Sequence, residues 1–324
     1  MLSELVRGRD LSFEEAYNLF MEMREKEPQN IAADLVAMES KGYTAEEIAG
    51  FAQAMRDAAR PIDLGDVADT CGTGGDSSST INVSTATSIL LSCFHPVAKH
   101  GNNSVTSKSG SSNVMAELGI DITASEETLM MGIGTCQYAY LHAPHYHVSL
   151  GKIMPVRKSL GIRTIFNIIG PLCNPARPRH QMIGISDYGL MESVSSALQM
   201  LRVKRALVVH GRGLDEVHPS KSTTVYEVDG NSIENYVINP SDMGMERSPI
   251  VPCNSARESA GRIVAVLSGK GLREDRNFII LNASVALYAT GRGDLAECRE
   301  MVESAIGEKV LGRLEMIRNA YPRK

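Results

Sequence analysis

The chain has 324 residues, of which 43% are hydrophobic and 22% charged, and its formal net charge is −5. That composition belongs to a water-soluble globular protein long enough for a large domain and a smaller one. The acidic balance argues against a general nucleic-acid binder, so no nucleic-acid partner is expected. The segment Met1–Asp10 carries Glu4, Arg7, Arg9 and Asp10 and has no apolar core, unlike a secretory signal. The longest apolar stretches, near 85–93 and 278–289, are interrupted by Ser, Thr or Asn and are too short to span a bilayer. No membrane partner is expected, and a cytoplasmic location is. Six cysteines, at 71, 93, 136, 173, 253 and 298, form no CxxC pair and stand at no zinc-ligand spacing with histidine. They read as reduced thiols packed as small hydrophobes.

In chain order, the first 60 residues predict helices. Ser12 and Glu15 make a capping box ahead of Phe13, Ala16, Tyr17, Phe20 and Met23 at helical spacing. A second helix carries Ile31, Leu35 and Met38 and stops near Gly42. A third starts at Thr44, with Glu47 three residues on, and Pro61 ends the run. From Asp66 the pattern changes to short apolar runs followed by polar or glycine-rich loops and helices: 67–70, 97–98, 138–141, 182–185 and 206–209. Strands alternating with helices imply a mostly parallel sheet. Asp229-Gly230 between 223–228 and 232–238 predicts one antiparallel hairpin. Helices are expected over 84–93, 111–118, 147–160, 256–268, 278–289 and 294–320. The expected fold class is α/β: a small N-terminal helical domain (residues 1–64, with a helical contribution from about 144–178) and a large α/β domain (65–324) with a mostly parallel central sheet flanked by helices.

Four segments carry chemistry. The first, Asp69-Thr-Cys-Gly-Thr-Gly-Gly-Asp76, follows a predicted strand, and Asn82-Val-Ser-Thr85 then opens a helix. Gly72, Gly74 and Gly75 let backbone amides approach a ligand without side-chain obstruction. Amides and hydroxyls at a helix N-terminus favour anions, so the unit reads as a diphosphate cradle. It matches neither the P-loop nor the dinucleotide fingerprint, since Ser77 stands where the last glycine of the latter would be. The second, Lys99 to Ser111, also follows a strand; it is dense in donors and suits a 5-phosphate or ribose hydroxyls. The third is His210-Gly-Arg-Gly-Leu-Asp-Glu216, whose Asp215 and Glu216 at a sheet edge could hold Mg²⁺ beside a phosphate ligand. The fourth holds Arg157 and then Arg163 to Pro175. A guanidinium at 157 could clamp a carboxylate in bidentate fashion, and Gly170-Pro171 would wall a flat ring.

Together these segments closely resemble the anthranilate phosphoribosyltransferases. That family's pattern runs GTGGD, NxST, KHGNRxxSxKSGSADxLExLG, RTxFNxLGPLxNPAxP and HGxGxDE. Here the counterparts are Gly72–Asp76, Asn82–Thr85, Lys99–Gly119, Arg163–Pro178 and His210–Glu216, in the same order. The resemblance implies a helical domain joined to a larger α/β domain, with an active site in the cleft between them. It also implies a homodimer through the helical domain, dependence on Mg²⁺ (two ions per site) and a place in tryptophan biosynthesis. By matched position, 5-phosphoribosyl-1-diphosphate (PRPP) would meet Gly72, Gly74, Gly75, Asp76, Thr80, Asn82, Val83, Ser84 and Thr85. It would also meet Lys99, His100, Gly101, Asn102, Asn103, Ser104, Val105, Thr106, Ser107 and Ser111. Anthranilate would meet Gly72, Asn102, His147, Arg157, Gly170 and Pro171. Ser84, Asp215 and Glu216 would hold the metal. The chain departs from the pattern at Asn103, where the family has Arg, at Ser112-Asn113 in place of Ala-Asp, and at Ser77 in place of a common Gly.

The implied reaction moves phosphoribose from PRPP to the amine of anthranilate. An aromatic amine is unprotonated at neutral pH and needs positioning rather than activation. No general base is assigned; His100 and His147 are weak candidates. Two other readings share the fold: a pyrimidine nucleoside phosphorylase, which the RTxFN and KHGN segments fit poorly, and a non-catalytic nucleic-acid-binding relative, which should have lost GTGGD and Asp-Glu. A transferase for a different aromatic amine is a third, prompted by Asn103.

Overall fold

Two capping boxes set the start of the structure. Glu15 N donates to Ser12 Oγ while Ser12 N donates to the Glu15 carboxylate at 3.0 Å, and Thr44 and Glu47 repeat the exchange. They open α2 (Phe13–Met23) and α4 (Ala45–Asp57), with α1 (Leu2–Leu5) before them and α3 (Pro28–Lys41) between. Pro28 stands in the first turn of α3, and Gly42 ends it at φ 86°, as helix chemistry requires. The four-residue α1 was not anticipated; it is too short to show a period. The computed structural model describes residues 1–75, 79–103 and 110–323.

Seven strands follow: β1 (Ala68–Gly72), β2 (Val97–Gly101), β3 (Tyr138–His142), β4 (His180–Gly184), β5 (Arg205–His210), β6 (Thr223–Asp229) and β7 (Ser232–Ile238). They form one sheet in the order β3-β2-β1-β4-β5-β6-β7. The first five are parallel, and β6 and β7 add the antiparallel hairpin that Asp229-Gly230 predicts. Around the sheet lie α5 (Val83–Leu91), α6 (Ser111–Glu117), α7 (Glu126–Cys136), α8 (Ala143–Tyr146), α9 (Ile153–Leu160) and α10 (Met191–Met200). The C-terminal region adds α11 (Ala256–Leu267), α12 (Arg273–Ala289), α13 (Leu295–Ala305) and α14 (Glu308–Ala320).

Alternation along the central strands feeds two cores, one on each face. Met182, Leu207 and Val209 face a core built with α5, α12 and α14. Ile183, Ala206 and Val208 face the other, which continues without a break into α2, α3, α4, α9 and α10. The helical part therefore covers one face of the sheet as well as packing on itself. Phe20, Phe51 and Phe166 join the N-terminal helices to the segment after α9, with ring centroids about 6 Å apart.

Three expectations need correction. The helix expected over 147–160 begins at Ile153; residues 148–150 form a separate 3₁₀ turn, and His147 takes the non-helical pair φ −100°, ψ 51°. The helix expected over 294–320 is two helices, because Gly307 at φ 105° breaks it. The helix expected from 278 starts five residues earlier, at Arg273, on a polar turn that periodicity does not register.

Glu47 ties the helical part together. Its buried carboxylate accepts from Leu11 N at 2.8 Å and Thr44 N at 3.0 Å and pairs with Lys41 Nζ at 2.6 Å. Removing it strands two backbone donors and takes one of three partners from the Lys41 ammonium, which also reaches Asp10 Oδ1 and Gly42 O at 3.0 Å. Glu47→Ala should lower unfolding free energy by about 2–4 kcal/mol, mainly the cost of the two unsatisfied amides, read from the midpoint of urea denaturation. A loss below about 1 kcal/mol would show that the pair is replaceable by water.

Candidate functional site

The order in which strands are laid down switches sides at β1. Strands β1, β2 and β3 are laid outward one way, and β4 and β5 then continue on the other side of β1. In open α/β sheets such a switch point leaves a crevice at the carboxyl ends of the strands. Here a cleft of about 610 Å³ opens at that place, between the sheet edge and the side formed by Met55, Leu150, Met154 and Arg157.

The floor is built by close backbone approach. Gly74 N donates to Asp215 Oδ2 at 2.7 Å. A Cβ on Gly72 would lie 2.0 Å from Asp215 Oδ2, and one on Gly184 would lie 1.5 Å from the Asp215 carbonyl oxygen. Only glycine at the ends of β1 and β4 lets the Asp215 loop settle between them. Gly74 and Gly75 take φ 69° and 79°, which side-chain-bearing residues rarely adopt. From the other side Val217 N donates to Asn282 Oδ1 at 2.9 Å, and Asn282 Nδ2 returns a bond to Val217 O at 3.1 Å, so α12 holds the Asp215-Glu216 turn.

Beneath the glycine loop lies a buried polar layer. Asp69 accepts from Thr70 N at 2.8 Å, from His100 N at 3.3 Å and from Asn174 Nδ2 at 2.8 Å. Burial pushes its carboxyl above the ordinary value; the Lys99 charge and these hydrogen bonds oppose that. Lys99 is buried and donates to Thr70 O at 2.8 Å, with Ser84 Oγ at 3.5 Å. Its ammonium thus sits between the glycine loop and the start of α5. Asn82 caps that helix, accepting from Thr85 N at 3.1 Å. Burial pushes the thiol of the neighbouring cleft residue Cys71 up to about 12, which favours its neutral form.

The opposite wall carries a cation. Among the described residues Arg157 forms no salt bridge; its guanidinium reaches Met154 Sδ at 3.2 Å and Asn167 Oδ1 at 3.4 Å and lies 5.0 Å from the Phe166 ring centre. Burial lowers its pKa. A half-buried guanidinium fork with no carboxylate partner among the described residues has the chemistry to receive one. The Gly170–Cys173 turn beside it is fixed by Arg56 Nε donating to Leu172 O at 2.6 Å and Gln181 Nε2 donating to Pro171 O at 3.1 Å. Between the walls, His100 Nε2 and His147 Nε2 are 3.2 Å apart. Burial holds His100 well below the usual imidazole range and His147 at about 4, so both are neutral at neutral pH.

Residues 64–308 match the family model described as glycosyl transferase family, a/b domain, and residues 1–59 match that family's helical bundle domain. An anthranilate phosphoribosyltransferase of Pyrococcus furiosus is 53% identical over 318 residues, covering 98% of each chain. The chain belongs to the anthranilate phosphoribosyltransferase family. Among solved structures, the anthranilate phosphoribosyltransferase of Thermus thermophilus superposes with a TM-score of 0.93 at 30% identity, over 98% of both chains. The Saccharomyces cerevisiae enzyme in complex with PRPP and Mg gives 0.87 at 26% identity, over 96% of this chain and 93% of that one. The same yeast protein with 4-fluoroanthranilate gives 0.84 at the same identity and coverage.

With the family shown, the positions taken from its motifs can be located one by one. Gly72, Gly74, Gly75, Thr80, Asn82, Val83, Ser84, Lys99, His100, Gly101, Asn102, Asn103 and Ser111 line the cleft, as do His147, Arg157, Gly170, Pro171, Asp215 and Glu216. Thr85 does not: its side chain is fully buried behind the α5 N-terminus, and only its amide serves the cap. Asp76, Ser104, Val105, Thr106 and Ser107 lie outside the described residues. Sequence reasoning gave no role to Asn167, Phe166, Asn174 or Asn282; Asn167, Phe166 and Asn282 line the cleft, and the buried Asn174 supports it from behind. Phe166, Asn167 and Asn174 sit inside the RTxFN and NPA segments, which was the available signal; Asn282 has none. The departure at Ser112-Asn113 is accommodated. Asn113 Oδ1 accepts from Gly110 N at 3.2 Å, as a carboxylate could, and Ser112 bonds Tyr140 Oη at 2.8 Å and His142 Nδ1 at 3.0 Å.

The glycine contacts can be tested directly. Gly184→Ala should destabilise by about 1–3 kcal/mol in urea unfolding, the range for overpacking. Gly134→Ala, where a Cβ meets open space within α7, should be neutral or stabilising by about 0.5–1 kcal/mol. Equal effects at the two positions would refute the claim that the Asp215 loop depends on a missing side chain.

Proposed function

We infer that this chain transfers the phosphoribosyl group of PRPP to the amine of anthranilate, giving N-(5-phosphoribosyl)anthranilate and diphosphate, in tryptophan biosynthesis. The observation that carries this reading is one cleft whose two sides have complementary chemistry. One side offers a glycine-built, Lys99-backed anion cradle with an acidic turn; the other offers an arginine that pairs with no carboxylate among the described residues, beside a Gly-Pro wall. The family relatives at about half identity over nearly the whole chain point the same way.

In this reading the amides around Gly72, Gly74 and Gly75 and the start of α5 bind the diphosphate, with Lys99 as the buried counter-charge. Residues 99–111, Asn102 and Ser111 among them, bind the ribose and its 5-phosphate. Arg157 takes the anthranilate carboxylate, and Gly170-Pro171 and His147 flank the ring. Holding acceptor and C1 in line supplies the orientation term, which can reach ~7–11 kcal/mol. Cleavage of the C1–diphosphate bond leaves an oxocarbenium-like centre, which the amine attacks. The proton then shed by the new secondary amine needs only a weak base, which a neutral His100–His147 pair or water can supply; we assign neither. Ser84, Asp215 and Glu216 offer oxygen donors of the kind Mg²⁺ takes, and we place two ions per site with them. When bound, Mg²⁺ neutralises charge on the departing diphosphate.

We place the division between the two parts at 64/65, with 144–178 joining the helical side, because Ile153, Phe166 and Leu172 share a core with α2–α4. We further propose a homodimer through the helical part, where Val6 (70% exposed) and Val36 (39%) lie open. Light scattering after size exclusion should give twice the chain mass, and Val36→Glu should shift it toward monomer; a monomeric wild type would exclude the dimer. A cytoplasmic location suits the six free cysteines, and among the described residues no helix is long and apolar enough to cross a membrane.

Mixing the protein with PRPP, Mg²⁺ and anthranilate and following the loss of anthranilate fluorescence tests the activity; no PRPP-dependent loss would overturn it. Arg157→Ala should raise the anthranilate KM about 10–100-fold, the worth of a charge-assisted pair, and leave the PRPP KM nearly unchanged. Glu216→Ala should lower kcat and weaken the Mg²⁺ dependence. Equal effects of Arg157→Ala on both substrates would contradict its assignment.

A further inference from the structure

The amino ends of the strands, at the opposite edge of the sheet from the cleft, hold a second cluster. The register pairs Ala68 with both Val97 and His180. Asp66 precedes β1 by two residues, His95 precedes β2 by two, and His180 begins β4, so parallel pairing brings the three side chains to one place. One ligand atom from each lies within 4.8 Å of the other two. His180 Nε2 is 3.6 Å from Asp66 Oδ1, and the His95 and His180 rings meet edge to face with centroids 5.3 Å apart.

Hydrogen bonding orients the cluster as a ligand set. His180 Nδ1 lies 3.0 Å from the Ala289 carbonyl; a carbonyl only accepts, so Nδ1 carries the proton. That leaves the Nε2 lone pair facing Asp66. An imidazole whose far nitrogen donates to a backbone carbonyl is the usual support of a metal-binding histidine. Among the described residues His95 Nε2 is buried with no hydrogen-bond partner, a loss that a hydrogen bond or an ion would repair. Burial also keeps both imidazoles neutral at neutral pH.

We propose that Asp66, His95 and His180 form a divalent transition-metal site of the Zn²⁺ class, distinct from the Mg²⁺ donors of the cleft. Two imidazoles and one carboxylate suit a borderline ion such as Zn²⁺ or Co²⁺, whereas Mg²⁺ prefers oxygen alone. Tetrahedral Zn²⁺ with bonds of about 2.0–2.1 Å needs ligand atoms roughly 3.3 Å apart. Small rotations of Asp66, whose side chain is 50% exposed, and of the half-buried His95 close that gap, and water takes the fourth position. Lys204, Arg179 and Arg292 act on the histidines from nearby and moderate the affinity. The bound ion would cross-link the starts of β1, β2 and β4 and, through Ala289, the end of α12.

The test uses the full chain, stripped with chelator and titrated with Co²⁺ in excess Mg²⁺, which saturates oxygen-donor sites. The expected result is one Co²⁺ per chain, a visible ligand-field absorption, and its displacement by Zn²⁺. Asp66→Asn and His95→Gln should each weaken binding at least about tenfold, while Glu216→Gln leaves it unchanged. Asp66 is exposed enough for its variant to fold, which a thermal melt without metal checks. The proposal falls if no absorption develops, or if Co²⁺ binding survives both cluster variants, or if it is lost with Glu216→Gln.

Discussion

The whole site rests on how closely the Asp215 turn approaches the ends of β1 and β4. Gly72 and Gly184 each stand where a single added carbon would collide with Asp215. The absence of two side chains is therefore what lets the acidic turn after β5 reach Gly74 N. Because the Asp215 carboxylate meets a backbone amide of the glycine loop and its carbonyl packs on Gly184, their relation is set largely by the sheet. A diphosphate ligand and its cation would find both halves of their receptor already assembled, which lowers the ordering cost of binding.

Charge is layered around that contact. Lys99 lies buried under the glycine loop, Asp69 lies buried beside it with three hydrogen bonds, and the buried Asp215 packs with Glu216 against the same loop. A buried ammonium and a buried carboxylate each cost heavily alone; here each is surrounded by backbone and amide partners, so the pair sits where solvent cannot relax it. Across the gap Arg157 is held by Phe166, Met154 and Asn167, none of which neutralises it. The two sides thus present opposite chemistry: backbone amide and acidic oxygens around the glycine loop on one, and on the other a guanidinium that forms no salt bridge among the described residues.

The same sheet that gathers the active site at its carboxyl ends gathers Asp66, His95 and His180 at its amino ends. Parallel strands do this without any sequence motif, since residues preceding neighbouring strands are neighbours whatever their separation along the chain. The three positions are 29 and 85 residues apart in sequence (95 − 66 and 180 − 95), and no spacing rule would have joined them.

The sequence alone determined the helical caps at Ser12 and Thr44, the hairpin at Asp229-Gly230, the alternation that makes a parallel sheet, and the glycine and acidic motifs of the cleft. These are local: a cap, a turn or a motif is decided by residues a few positions apart. Tertiary structure decided the rest. It ended the helix at Gly307, started α9 only at Ile153, turned Thr85 inward, recruited Asn282 from α12 to hold the Asp215 turn, and placed Arg157 against Phe166. Each of those depends on a partner far along the chain, and the energy of a contact between distant residues is not written in the neighbourhood of either one.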